Sequence, residues 1–391
     1  MGSIGAASSE FCFDIFKELK VQHVNENIFY SPLSIISALS MVYLGARENT
    51  RAQIDKVVPF DKITASGESI ESQVQKIQCS TSVSVHTSLK DIFTQITKSS
   101  DNHSLSFASR LYAEETYPIL PEYLQCVKEL YEGGLETISF QTAADQAREL
   151  INSWIESQTN GMIKNILQPG SVDPQTEMVL VNAIYFKGMW EKAFKDEDTQ
   201  AVPFRMTEQE SKPVQVMHQI GSFKVAVLAS EKIKILELPY ASGELSMLVL
   251  LPDDVSGLEQ LETAITFEKL MEWTSPNIME ERKIKVFLPR MKIEEKYNLT
   301  SVLMALGITD LFSPLANLSG ISSAESLKMS EAIHEAFVEI SEAGSEVIGS
   351  TEAEVEVTND PEEFRADHPF LFLIKHNPTN SILFFGRCFS P

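Results

Sequence analysis

The sequence predicts an α+β fold, with large antiparallel sheets and helices packed over them, on three observations. Apolar residues in the first part of the chain recur at helical spacing. The later part is dominated by β-rich runs closed by Gly, Pro or Asp. The helices that interrupt those runs follow no regular βαβ rhythm. A hydrophobic fraction of 43% with 22 Phe supplies the core. Length alone would suggest two or three domains, but no linker, repeat or low-complexity tract cuts the chain, and 1–391 reads as one domain.

Taken in order, "SSEFCFDIFKELKVQ" places Phe11, Ile15, Phe16 and Leu19 on one face, with Asp14, Lys17, Glu18 and Lys20 largely outside it. The charge-free run from Ile28 to Ala46 has nearly the length that spans a bilayer. Pro32 and four serines argue against a permanent span and for a buried helix starting near Pro32, with Ser31 as its cap. Before folding, the same run reads as a targeting signal. In "TAADQARELINSWIESQTNG", Thr142 and Asp145 form a capping-box pattern, Leu150, Ile151, Trp154 and Ile155 recur at helical spacing, and Asn160-Gly161 supplies the stop. "EMVLVNAIYFKG", "KIKILELPY", "ELSMLVLLPDD" and "RKIKVFLPRMKIEEKY" read as strands, "GLEQLETAITFEKLMEWTS" and "LTSVLMALGITDLF" as helices. The segment ahead of Gly344 reads as a helix, and "HPFLFLIKHNPTNSILFFGRCF" as two apolar strands joined across Asn377-Pro378.

Charge excludes several partners. With 55 acidic against 32 basic residues the formal charge is −23, which repels nucleic-acid phosphates and anionic lipid and favours solubility at high concentration. Heparin would need a cationic stripe, but the helix-like "TSLKDIFTQITKSS" carries only Lys90 and Lys98. The cysteines Cys12, Cys79, Cys126 and Cys388 are too few for a disulfide scaffold and lack zinc-site spacing; one bridge is compatible with them, and composition does not select its partners. The first residues lack the basic flank and apolar core of a cleavable signal, and Ala6 stands where myristoylation wants Ser or Thr. Asn102-His-Ser, Asn298-Leu-Thr and Asn317-Leu-Ser are sequons, which lean toward secretion, whereas Asn377-Pro-Thr is not one.

Nothing in the sequence marks an enzyme. His23, His86, His103, His218, His334, His368 and His376 are scattered without metal-ligand spacing, and no nucleophile elbow, phosphate-binding loop or dinucleotide turn occurs. No metal or cofactor is implied. One stretch stands apart: from Gly344 to Glu363 the chain alternates like a strand. Ser345, Val347, Gly349, Thr351, Ala353, Val355 and Val357 are small or apolar, while Glu346, Ile348, Ser350, Glu352, Glu354 and Glu356 form a mainly acidic second face. Its plainest explanation is a solvated acidic loop.

Three separated blocks resemble the serpin family: residues 364–391, "FRADHPFLFLIKHNPTNSILFFGRCFSP"; residues 181–194, "VNAIYFKGMWEKAF"; and "NIFYSPLSIISALSMVYLGA". The resemblance covers nearly the whole chain and implies a fold of three β-sheets, about nine helices and an exposed reactive-centre loop at about 344–363. It places the reactive bond between Thr358 and Asn359 and the hinge on Gly344, Ser345, Glu346, Val347, Ile348, Gly349 and Ser350. Serine proteases would meet the chain at this loop. Ser34, Asn182 and His334 would form the hydrogen-bond cluster that holds the main sheet closed, with Trp190 near the top of the opening; no catalysis is implied.

Within the family the likeness is greatest to avian egg-white members, on "GSIGAAS", "FDIFKELKVQHVNENIF", "SRLYAEETYPILPEYLQCVKELY" and "EEKYNLTSVLMALGITDLF". That implies a secreted, monomeric storage protein with an uncleaved internal signal at Ile28 to Ala46 and no inhibitory activity. It further implies a disulfide between Cys79 and Cys126, free buried Cys12 and Cys388, a glycan on Asn298 with Asn317 as a second candidate, and phosphate on Ser69 and Ser350. A bridge closing a loop of about 47 residues stabilises by roughly 4 kcal/mol. The alternative is a working protease inhibitor, whose cleaved loop enters the sheet as a strand. Burying the three valines of the quiet face would gain about 1.5–3 kcal/mol each, more than the roughly 0.5–1 kcal/mol that Gly349 costs within a strand. Inhibitors of the family carry a run of small residues in the hinge. Here Val347-Ile348-Gly349 departs from that pattern and favours storage, whereas the small, uncharged Ser345 is inhibitor-like.

Overall fold

The structure, a computed structural model, describes residues 4–60, 63, 85–98, 101–344 and 361–391. In chain order its elements are α1 (Ile4–Gln22), β1 (Ile28–Tyr30), α2 (Pro32–Gly45), α3 (Glu48–Val57), α4 (Val85–Thr97), β2 (His103–Glu114), α5 (Pro121–Leu130), β3 (Leu135–Ile138), α6 (Ala144–Gln158) and β4 (Met178–Gly188). There follow β5 (Gln200–Arg205), β6 (Ser211–Leu228), β7 (Ile233–Pro239), β8 (Leu245–Pro252), α7 (Leu258–Ala264), α8 (Phe267–Trp273), β9 (Glu280–Pro289), β10 (Met291–Asn298), α9 (Leu299–Ala305), β11 (Glu331–Ile340), β12 (Glu362–Arg365), β13 (Phe370–His376) and β14 (Ser381–Cys388). The expected α+β architecture is present. Among the described residues the strands join into two sheets, because the 18-residue β6 pairs with β5 over 211–216, with β9 over 216–225 and with β7 over 224–228, making two of the three expected sheets continuous.

The smaller sheet runs β10-β11-β4-β2-β3. Its central pair, β11 and β4, is parallel from Glu331 opposite Val179 to Glu339 opposite Lys187, and each has an antiparallel partner on its other side. One face of this sheet packs on the main core that includes α2, and α6 covers the other through Ile151 and Ile155 against Val181, Ala183 and Ile333. Every residue of α2 except Leu44 is buried, as befits a helix apolar all round. It starts at Pro32 with Ser31 as cap, as the sequence predicts. Among the described residues no helix is long and apolar enough to cross a membrane.

Four local expectations are corrected. The segment ahead of Gly344 is not a helix but β11, held between β10 and β4; its Ala and Glu favour helix locally, and tertiary pairing overrides that preference. The capping box at Thr142 does not form, since α6 starts from Ala143 without a side-chain cap and the Thr142 hydroxyl bonds Ser139 instead. Leu150 faces solvent, while Trp154 stacks under the Arg110 guanidinium at 3.8 Å. The helix does stop at Asn160-Gly161, both with positive φ. "RKIKVFLPRMKIEEKY" is two strands in different sheets, divided at Arg290.

Candidate functional site: the closed central strand pair

The β4–β11 pair is fastened at two places. The first lies under the start of α2, where the Ser31 cap accepts from the Ser34 N–H at 3.1 Å and donates its hydroxyl to the Leu383 carbonyl of β14 at 2.5 Å. One turn on, Ser34 Oγ donates to Asn182 Oδ1 of β4 at 2.7 Å. Opposite Asn182 in the register stands His334 of β11, whose Nδ1 lies 2.6 Å from the same Oδ1. The Ser31 N–H donates to His334 Nε2 at 3.0 Å. A backbone N–H can only donate, so Nε2 is bare and the ring proton sits on Nδ1, donating to Asn182. Burial pushes the imidazole down to about 3, in keeping with this neutral form. The cluster thus ties α2 to β4, β11 and β14. It brings together residues 148 and 152 positions apart and is sealed from solvent, which suits a fastening and not a catalytic centre.

The second fastening lies at the end of β11 from which the chain continues to Gly344. Trp190 donates its backbone N–H to the Ala343 carbonyl at 3.0 Å and its indole Nε1–H to the Ser341 carbonyl at 2.7 Å, and bridges in parallel to Gly344. Its ring stacks on Tyr240 at 4.4 Å. Gly344 passes so near Ala193 that an added Cβ would stand 2.6 Å from the Ala193 Cα, so close approach requires glycine here. Between these contacts Arg290 Nε and Nη2 donate to Glu342 Oε1 at 3.0 and 2.5 Å, and Thr199 Oγ1 donates to the same oxygen at 2.8 Å. Burial alone would raise the Glu342 carboxyl, but these bonds hold it below its ordinary range.

Ser34 and His334 meet at Asn182, and Trp190 and Gly344 meet where the chain leaves β11. Sequence reasoning missed Ser31 as a His334 partner and the Arg290–Glu342–Thr199 bonds, whose members are far apart in the chain and carry no motif. Asn298 is exposed at the N-cap of α9, accepting from the Thr300 N–H at 3.0 Å and donating to Glu331 at 2.5 Å. Asn317 is half-buried and accepts from the Ser319 N–H at 3.2 Å. Cys12 and Cys388 are free and buried, and Cys126 is disulfide-bonded. Cys79, Ser69, the hinge residues Ser345, Glu346, Val347, Ile348, Gly349 and Ser350, and the bond between Thr358 and Asn359 lie outside the described residues.

A family model described as serpin (serine protease inhibitor) matches residues 6–391. The chain belongs to the serpin family. Ovalbumin of Dromaius novaehollandiae is 78% identical to this serpin over 391 residues, all of both chains. A crystal structure of uncleaved ovalbumin matches the serpin at a TM-score of 0.92, with 73% identity and full coverage of both chains. A loop-inserted structure of a cleaved ovalbumin mutant matches at 0.88, with 70% identity and full coverage of both chains.

Proposed function

We propose that this serpin is a secreted egg-white storage protein that does not inhibit proteases. The observation that carries this is its likeness along the whole chain to avian ovalbumins. It is not an enzyme. A net charge of −23 keeps such a protein dispersed at high concentration.

The same reading assigns the parts outside the described residues. The chain forms one domain and a monomer, with Ile28 to Ala46 as its internal signal. Cys79 pairs with Cys126, Asn298 and then Asn317 take glycans, and Ser69 and Ser350 take phosphate. The buried Ser34, Asn182 and His334 act as the lock of the central strand pair.

A second reading, a working inhibitor cut between Thr358 and Asn359, is favoured by Ser345 and by the strand-like alternation. A chain turning back after Gly344 and entering between β4 and β11 would run antiparallel to both, replacing a slanted parallel ladder by two antiparallel ones. Entry must break nine register positions and release both fastenings. The cleaved ovalbumin mutant solved in loop-inserted form is support for that motion in a relative.

The readings separate on incubation with a panel of serine proteases. Storage predicts cleavage or indifference without any covalent complex that survives detergent; one such complex overturns it. Melting before and after a single cut within 345–359 reports the motion itself. An unchanged melting temperature fits a loop that stays out, and a large rise shows that it enters the sheet.

A further inference from the structure

The sequon Asn102-His103-Ser104 has no part in the function above, yet its placement is suited to modification. Asn102 sits partly exposed in the turn between α4 and β2, beside the exposed Asp101. Ser104 is exposed, and so is Lys187, its register partner on β4. The turn is held from elsewhere: His103 Nε2–H donates to the Ile96 carbonyl of α4 at 2.6 Å, and the Met189 N–H donates to the Asn102 carbonyl at 2.9 Å.

We propose that Asn102 carries an N-linked glycan. The Asn102 side-chain nitrogen forms a bond to C1 of the reducing-end sugar of a lipid-pyrophosphate oligosaccharide. The C1–O bond to pyrophosphate breaks, the lipid pyrophosphate leaves, and one amide proton passes to a base of the transferase. Ser104 supplies the hydroxyl two positions on that the acceptor motif requires.

The location has a consequence. Met189, bonded to Asn102, is followed by Trp190, which binds Ala343 and bridges to Gly344. A glycan here is rooted at the end of the five-stranded sheet where the chain leaves β11, and it obstructs a protease approaching the residues after 344. Asn298, opposite Ile333, lies toward the other end of the same sheet.

The inference rests on secretion, and the test separates the two. The full chain secreted by eukaryotic cells is digested with trypsin, and glycans are released enzymatically in isotopically heavy water. Lys98 and Arg110 bound the peptide 99–110, which is expected to appear only after release, with Asn102 converted to labelled Asp. Asn102→Gln and Ser104→Ala are each expected to abolish the label, so the result stands if one variant folds poorly. Absence of label at Asn102 overturns this inference and leaves secretion intact, whether or not Asn298 is labelled; failure of the chain to reach the medium overturns the secretion on which it rests. Protein lacking the Asn102 glycan is expected to be cut within 345–359 severalfold faster by a broad-specificity protease, and an unchanged rate refutes the shielding.

Discussion

Asn182→Ala is the sharpest test of the buried Ser34–Asn182–His334 hydrogen bonds. The substitution removes one acceptor and strands two donors, the Ser34 hydroxyl and the His334 Nδ1–H, in a site sealed from water. A stranded buried donor costs about 1–3 kcal/mol, so the variant is expected to lose about 2–6 kcal/mol. At an unfolding entropy of about 2.1 cal/mol/K per residue, a chain of this length has roughly 0.8 kcal/mol/K, and the melting temperature should fall by about 2–7 °C. Ser34→Ala removes a donor and leaves Asn182 bonded to His334, so it should cost no more than about 1.5 kcal/mol. The two changes must couple. In the double variant only the His334 donor is stranded, so adding Ser34→Ala to Asn182→Ala should restore part of the loss. Scanning calorimetry of the three variants at neutral pH decides it. Equal losses that simply add would refute the shared-acceptor account.

His334 gives the acid side of the stability profile. Its folded-state value of about 3 lies below the roughly 6.5 of a free imidazole. The unfolded chain therefore binds the proton first, and stability present above about 6.5 is lost as pH falls toward 3, by a total of order 5 kcal/mol. His334→Gln should flatten that limb in a melting series across pH, and an unchanged slope would exclude the residue. On the opposite limb, burial and the neighbouring Glu294 raise the Glu335 carboxyl, against a lowering by Lys296. A raised carboxyl gives stability below its unfolded value that is lost as pH rises through the folded one. Glu335→Gln should then raise the melting temperature more at pH 9 than at pH 5, and an equal change at both would count against burial as the cause. Arg290→Ala strips the charged donors from Glu342 and is expected to cost about 1–3 kcal/mol, reduced from a fully buried pair because the arginine is part-exposed. Urea denaturation reads the loss, and no change in midpoint would show that Thr199 alone satisfies the carboxylate.

Several elements follow from the sequence alone because their causes are local. The Ser31-Pro32 start of α2, the apolar face of α1, the stop at Asn160-Gly161 and the β13–β14 hairpin each rest on neighbours a few residues apart, where spacing and caps act directly. The net charge and the absence of an enzyme motif are likewise set by composition. The grouping of Ser34, Asn182 and His334 was legible in the sequence only through family resemblance, because residues 148 and 152 positions apart have no periodicity to betray their contact.

Tertiary structure decided what depends on partners. Glu331–Ile340 carries helix-favouring residues and becomes a central strand because β10 and β4 satisfy its backbone on both edges. Arg290 divides one β-rich run between two sheets and, from that corner, reaches Glu342. The His334 proton is fixed on Nδ1 by an N–H contributed from Ser31, 303 residues earlier. Local propensity is worth tenths of a kcal/mol per residue, whereas a buried polar group without a partner costs whole kilocalories, so packing prevails wherever the two conflict.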